Sequence, residues 1–468
     1  MSPTPDGTSS PPQPPRYVSG TSRSSSVSST VSLGPHPDPL PPPGPGEIFV
    51  ISSYTDFSCL AHGPTGKEAR FGLYSFWLNP SNGTMTLLSV TGPAKTCKNP
   101  SFSRVHPTLN LLYTCTEDIV NPGEILTYKI ENNGALTPYC EPVSANGTST
   151  CYLTINNAST HMLACNYWNS SLLTFPLDQS GVVSPHVALY DPHHGKPMKA
   201  ATKKANHSEN DESTIKARQA DPHSHALVLD PYHGCIAYVP DLGMDLIRQM
   251  YFNEVTGEFT QLSEIKSGMS KHHPDGPRYI EFHKTMPIAY VINELSSSVA
   301  VFEVDKEAIS RLAAATKGGA EPVPEELRNL NTLKMVQNID TIPSAYPLSL
   351  NTCGRIHVHS SGNYVLVSNR GHDSIAVFRI LPPKNQGTVC GRLAAVGFFH
   401  TRGHCPRHFQ FDSSGQWLVV ANQDSDQIAI FSFNLSTGEV KYGGNTYSVP
   451  SPNFVCSAKW KEGEDSDF

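Results

Sequence analysis

Six side chains in this 468-residue chain are of types that handle protons and anions, and they recur at two repeated positions. Arg278, Arg370 and Arg407 carry guanidinium groups, which bind carboxylate or phosphate through paired hydrogen bonds. His225 can carry a proton near neutral pH. Glu117 and Glu294 add two carboxylates. Together they predict a mouth for a small anion with at least one acid–base group. Asn293 and Asn369 stand beside two of them as candidate substrate-contacting amides. Recurrence of one residue type at one position is also what a turn would demand.

The elements that must position these groups are repeated. GRIHVHSSGNYVLVSNRGHDSIAVF from Gly354 reads as three β-strands separated by turns. PRYIEFHKTMPIAYVINELSSSVAVFEV from Pro277 and PRHFQFDSSGQWLVVANQDSDQIAIFSF from Pro406 repeat the pattern. Aligned on the end of the second strand, the positions Thr116, Asn166, Asp241, Asn293, Asn369 and Asn422 are 50, 75, 52, 76 and 53 residues apart. A four-stranded propeller blade takes about 40–50 residues, so the short steps fit one blade each. The long steps carry insertions at about 192–220 and 305–345. The second has helical spacing over Glu307–Ala315 and Glu325–Leu333. With a seventh position at Ser53-Tyr54, the pattern predicts an all-β, seven-bladed propeller over residues 47–460. Closing it requires Glu47–Ser53 to pair beside strands near Tyr442 and Phe454.

In such blades the start of the innermost strand and the end of the second open on one face. Ser101, Cys151, His225, Arg278, Gly354 and Arg407 occupy the first position. Tyr54, Glu117, Tyr167, Leu242, Glu294, Arg370 and Gln423 occupy the second. His223 reads as support for His225, and Cys151 as an inert thiol.

Residues 1–46 are Pro/Ser-rich and read as a disordered tail, and 461–468 as an acidic one. The partner the first tail would take is a proline-recognising domain. A formal net charge of −7 without a Lys/Arg stripe excludes a nucleic-acid partner. No apolar run reaches the roughly 18 residues of a membrane span, so no membrane partner is expected. Eleven irregularly spaced cysteines fit reduced thiols in the cytoplasm. Six N-x-S/T matches read as chance, no secretory signal preceding them. His357 with His359, and His272 with His273, lack a matched ligand set, so no metal is expected. No G-x-S-x-G elbow, Walker loop or dinucleotide fingerprint is present.

The segments HALVLDPYHGCIAYVPDLGMDLI, GPRYIEFHKTMPIAYVINELSSSVAVF, GNYVLVSNRGHDSIAVF and PRHFQFDSSGQWLVVANQDSDQIAIF resemble the lactonase-type seven-bladed propeller family. That family includes bacterial 6-phosphogluconolactonases of the propeller kind and the fungal carboxy-muconate lactonizing enzyme. The resemblance implies a cytoplasmic enzyme without a cofactor, acting on a small anionic lactone or sugar acid. The fungal site of a histidine, two arginines and a glutamate falls on His225, Arg278, Arg370 and Glu294. Arg407 and Glu117 are then substrate-binding candidates, with Asn293 and Asn369. The Asn369-Arg370-Gly371-His372-Asp373 run is the bacterial-like feature, and it favours metal-independent hydrolysis of a sugar-acid lactone. A carboxy-muconate cycloisomerase and a non-catalytic binding platform are the alternatives. Arg370 and Arg407 would hold the anionic end and Arg278 the oxyanion. His225 or Glu294 would take the proton.

Overall fold

The computed structural model describes residues 46–193, 215–216, 218–269, 273–383 and 391–458. The Pro/Ser-rich segment 1–45, the acidic 461–468 tail and the 194–214 part of the first insertion lie outside the described residues, as does His272. The described residues form seven antiparallel sheets of four strands, one with a short fifth strand. The sixth blade shows the plan. From the channel outwards it runs Thr352–Val358, Tyr364–Arg370, Ser374–Ile380 and Leu393–His400. Its second strand is buried on both faces, so it reads as a continuous apolar run; its outermost strand is half exposed and mixes polar with apolar residues.

Apolar cores lie between blades. Leu366 and Val377 share a cluster with Val420 and Phe431 of the next blade. Phe49 and Ile51 pack with Val419, Ile428 and Ile430 across the closure. The closure is made by the C-terminal strand Pro452–Ala458, innermost in a sheet completed by Glu47–Ser53, Phe71–Leu78 and Met85–Pro93. Ile51 pairs with Val455, so the strand near Phe454 is the neighbour expected. Tyr442 is not; it belongs to Val440–Ser448, which already fills the outermost position of the preceding blade.

In the second insertion Lys306–Thr316 is a helix. Asp305 accepts the Ala308 amide at its start, and Ile309 and Leu312 enter the core between blades four and five. The segment from Glu325 forms only a 3₁₀ turn over Glu325–Leu327, because Leu333–Asp340 is claimed as the outer strand beside Ser298–Val304.

Turns between first and second strands carry a polar cap. Asn156, Asp230 and Asp412 accept backbone amides there. His106, His283 and His359 do this too, and the last two also reach the next blade. His359 Nδ1 accepts the Ser361 amide at 3.1 Å while Nε2 lies 2.9 Å from the Gly415 carbonyl of the next blade. His283 caps Thr285 and Met286 and reaches Gly362 in the same way. Among the described residues no helix is long and apolar enough to cross a membrane.

Candidate active site

The turns after the second strands share one construction. Asn166, Asn293 and Asn369 are fully buried and donate their amides to carbonyls of the preceding loop, at Ala145, Ser267 and Thr341. Each also donates to the serine five residues on: Ser171, Ser298 and Ser374. The fourth residue on, Ser170, Ser297 or Asp373, takes a left-handed φ of 49–54°. These amides therefore tie turn backbone together. Asn369 Oδ1 also accepts the Thr341 hydroxyl at 2.8 Å, whereas Asn293 Oδ1 is buried with no hydrogen-bond partner among the described residues.

That construction aims the next residue at the channel. Glu294, buried after Asn293, is gripped by three guanidiniums. Arg278 Nε donates to Oε2 at 2.9 Å, and Arg370 Nη2 lies 3.0 Å and Arg218 Nη2 2.5 Å from Oε1. Burial alone would raise the Glu294 pKa; Arg218, Arg370 and Arg278 outweigh it and hold the carboxyl well below the usual range. Two of the arginines are also fixed to backbone, Arg278 Nη1 on the Gly354 carbonyl at 3.1 Å and Arg370 Nη2 on the Cys353 carbonyl at 2.9 Å. Gly354 is required at that crossing, since a Cβ there would sit 2.6 Å from the Arg407 carbonyl oxygen.

Beside this cluster opens a narrow pit of about 20 Å³, with Glu117, His225, Arg278 and Arg407 on its walls. Tyr54 donates its hydroxyl to Glu117 at 2.9 Å, and the Arg407 guanidinium lies 5.5 Å over the Tyr54 ring. His225 is packed edge-on against Tyr167 and Tyr279, and its Nδ1 is buried with no hydrogen-bond partner among the described residues. Burial, then the neighbouring Arg278, push its pKa well below that of a free imidazole, so at neutral pH it is uncharged and able to accept a proton. His223 stacks on Tyr167 at 4.9 Å, behind His225. Burial raises the Cys151 thiol well above its ordinary value.

A belt of rings makes the floor. Tyr279, Tyr152, Phe102, Phe454 and His408, from five innermost strands, follow one another at centroid distances of 5.6, 4.4, 4.5 and 3.9 Å. A second ion-paired group includes Glu281, with Arg355 at 2.5 Å and His357 at 3.4 Å. Burial opposes, but Arg355 and His357 bring the Glu281 pKa down to about 2. His357 thus lies beside the Glu281 carboxylate, and His359 in a turn. Among the described residues no group of three or more His, Cys, Asp or Glu side chains could hold a metal ion.

Of the residues singled out by sequence, His225, Arg278, Arg407 and Glu117 line the pit, and Glu294 and Arg370 lie against Arg278. Sequence reasoning missed Arg218, Tyr54 as the partner of Glu117, and the aromatic floor. The floor had a visible signal, aromatics one residue past the strand-start position at Phe102, Tyr152, Tyr279 and Phe454. Arg218 had none, because it lies outside the repeat.

The family described as "Lactonase, 7-bladed beta-propeller" matches residues 48–457. A 6-phosphogluconolactonase of Bacillus subtilis is 29% identical over 392 residues, covering 83% of this chain and 95% of its own. A 6-phosphogluconolactonase of Formosa agariphila is 26% identical over 381 residues, covering 81% and 92%. The solved structure of a periplasmic gluconolactonase from Pseudomonas aeruginosa superposes with a TM-score of 0.65 at 20% identity, covering 89% of this chain and 99% of its own. A Bacteroides uniformis structure gives 0.67 at 23%, covering 88% and 99%. At these identities the structural likeness speaks for the fold.

Proposed function

The chain belongs to the seven-bladed β-propeller lactonases, and on that premise we propose that it hydrolyses the lactone of an anionic sugar acid, with 6-phosphogluconolactone as the substrate class. The observation that carries the reading is the pairing, on the walls of one pit, of a buried uncharged His225, whose Nδ1 has no hydrogen-bond partner among the described residues, with an anchored Arg278 guanidinium. The names of the Bacillus and Formosa relatives support the substrate class. So does the local charge: four guanidiniums, of Arg218, Arg278, Arg370 and Arg407, face two carboxylates, of Glu117 and Glu294, and leave the mouth positive.

In the reaction, His225 Nδ1 takes a proton from water as its oxygen bonds to the lactone carbonyl carbon. Arg278 faces the oxyanion that forms; a donor in that place is typically worth about 3–4 kcal/mol. The tetrahedral intermediate expels the ring oxygen, which receives the proton from the His225 imidazolium. One water is consumed and His225 returns to its starting state, with no cofactor or metal in the cycle. Glu294 is a poor proton acceptor while three guanidiniums hold it ionised, so its part is to fix Arg278. Arg370 acts through Glu294, and Arg407 is one of the groups that hold the anionic end. Glu117, which accepts the Tyr54 hydroxyl on Oε2 and has His62 Nδ1 3.9 Å from Oε1, faces the hydroxyls of the substrate.

The test is turnover of freshly made 6-phosphogluconolactone in a dehydrogenase-coupled assay, beside an absorbance assay with 3-carboxymuconate. Acceleration of the first alone is expected. Activity on carboxymuconate alone would move the chain to the cycloisomerase branch, and activity on neither would leave a binding platform.

A further inference from the structure

We propose that Arg218 is a substrate-binding residue that leaves Glu294 to take the anionic group remote from the lactone; the proposal rests on the reading above. Three guanidiniums share Glu294, but they are held differently. Arg278 and Arg370 come from blade strands, each donates to a backbone carbonyl, and both side chains are 4% exposed. Arg218 comes from no blade strand. It lies ten residues before the fourth blade's innermost strand, Val228–Leu229. Its side chain is 17% exposed against 1% for Glu294, so it is the solvent-side cover of the carboxylate. Its Nε donates to the Tyr167 hydroxyl at 3.3 Å. Its segment is pinned next door by Gln219 Nε2 on the Leu242 carbonyl.

An anion arriving from solvent therefore meets Arg218 before it meets Arg278 or Arg370. Exchange of partners keeps charge balanced. The substrate anion replaces Glu294 on Arg218, while Glu294 retains two fixed guanidiniums. Tyr167 serves as the pivot, because it contacts the Arg218 Nε by its hydroxyl and His225 by its ring, 5.1 Å away. A guanidinium is suited to the task, since its fork of N–H groups meets a phosphate with paired bonds.

The experiment is equilibrium binding of 6-phosphogluconate and of gluconate by calorimetry, using the full-length wild-type chain, Arg218→Ala and Arg218→Lys, with melting temperatures as folding controls. In Arg218→Ala the affinity for 6-phosphogluconate should fall about 10–100-fold while that for gluconate stays within about threefold, the scale of one lost charge-assisted contact. Arg218→Lys should recover part of the loss. Unchanged affinity for both ligands would overturn the proposal, as would an equal loss for both, which marks Arg218 as a mere clamp on Glu294. A wild-type chain that binds neither ligand would overturn it too. No turnover is read, so a chain that binds as expected but opens no lactone would sink the proposed reaction and leave this inference standing.

Discussion

Replacing Glu294 with glutamine separates the two roles open to a carboxylate at this position. The side chain is buried and ion-paired to Arg218, Arg278 and Arg370. Glutamine keeps the shape but leaves three guanidiniums without their counter-charge. Removing one partner of a buried ion pair typically costs about 3–5 kcal/mol, so unfolding free energy in urea should fall by that amount near pH 7. The sign with pH follows from the depressed pKa. The Glu294 contribution is fully present above the unfolded carboxylate value of about 4.3 and is lost as pH falls below it, so the gap between wild type and variant should close only in acid. Activity should fall as well, because Arg278 loses its anchor. The pH–rate profile gives the sharper reading. If His225 is the base, kcat/KM loses activity as pH drops through the His225 pKa, which lies below about 6.5. The Glu294 charge raises that pKa, so Glu294→Gln should keep the acid limb and move it to lower pH. A variant with wild-type stability would refute the electrostatic argument. One whose acid limb vanishes would make Glu294 the base.

Stability should report the turn histidines. Burial lowers the His359 pKa, so its contribution is present above about pH 6.5 and is lost as pH falls through the folded value. His359→Asn, which keeps a turn cap but loses the reach to Gly415, should flatten the decline of urea stability between pH 7 and 5. Cys151 should resist iodoacetamide in the native protein at pH 7.5 and react once unfolded, because burial holds its thiol protonated; peptide mass spectrometry would read this. Lactone turnover should survive EDTA, because guanidiniums supply the charge stabilisation in the proposed cycle. A loss restored by one divalent ion would require a different mechanism.

The repeat was legible because five of the seven blades write the same short sentence. A strand buried on both faces is followed by Asn or Asp and a left-handed residue four positions later, and the next strand begins. That regularity also places Glu294, Arg278 and His225 on one face. It leaves the part of Asn293 and Asn369 open, since nothing in a sequence distinguishes an amide turned into its own turn from one turned into a pit. Arg218 was invisible for the opposite reason. It lies outside the blade repeat, so no register predicts where its guanidinium ends. Tyr442 was misplaced because both it and Phe454 read as strand near the C-terminus, and only the four-strand count of each blade assigns them to different sheets. The Glu325–Leu333 segment has helical spacing, yet its last residue begins a strand because the outer edge of the fifth blade needs one.

The central claim, that His225 drives lactone opening from the pit, is tested most directly by the hydrolysis rate of 6-phosphogluconolactone with wild type and with folded His225→Ala. The account predicts acceleration over spontaneous opening by wild type and a fall in kcat of about 10²–10⁴ in the variant with KM little changed. A variant that keeps wild-type kcat would contradict it.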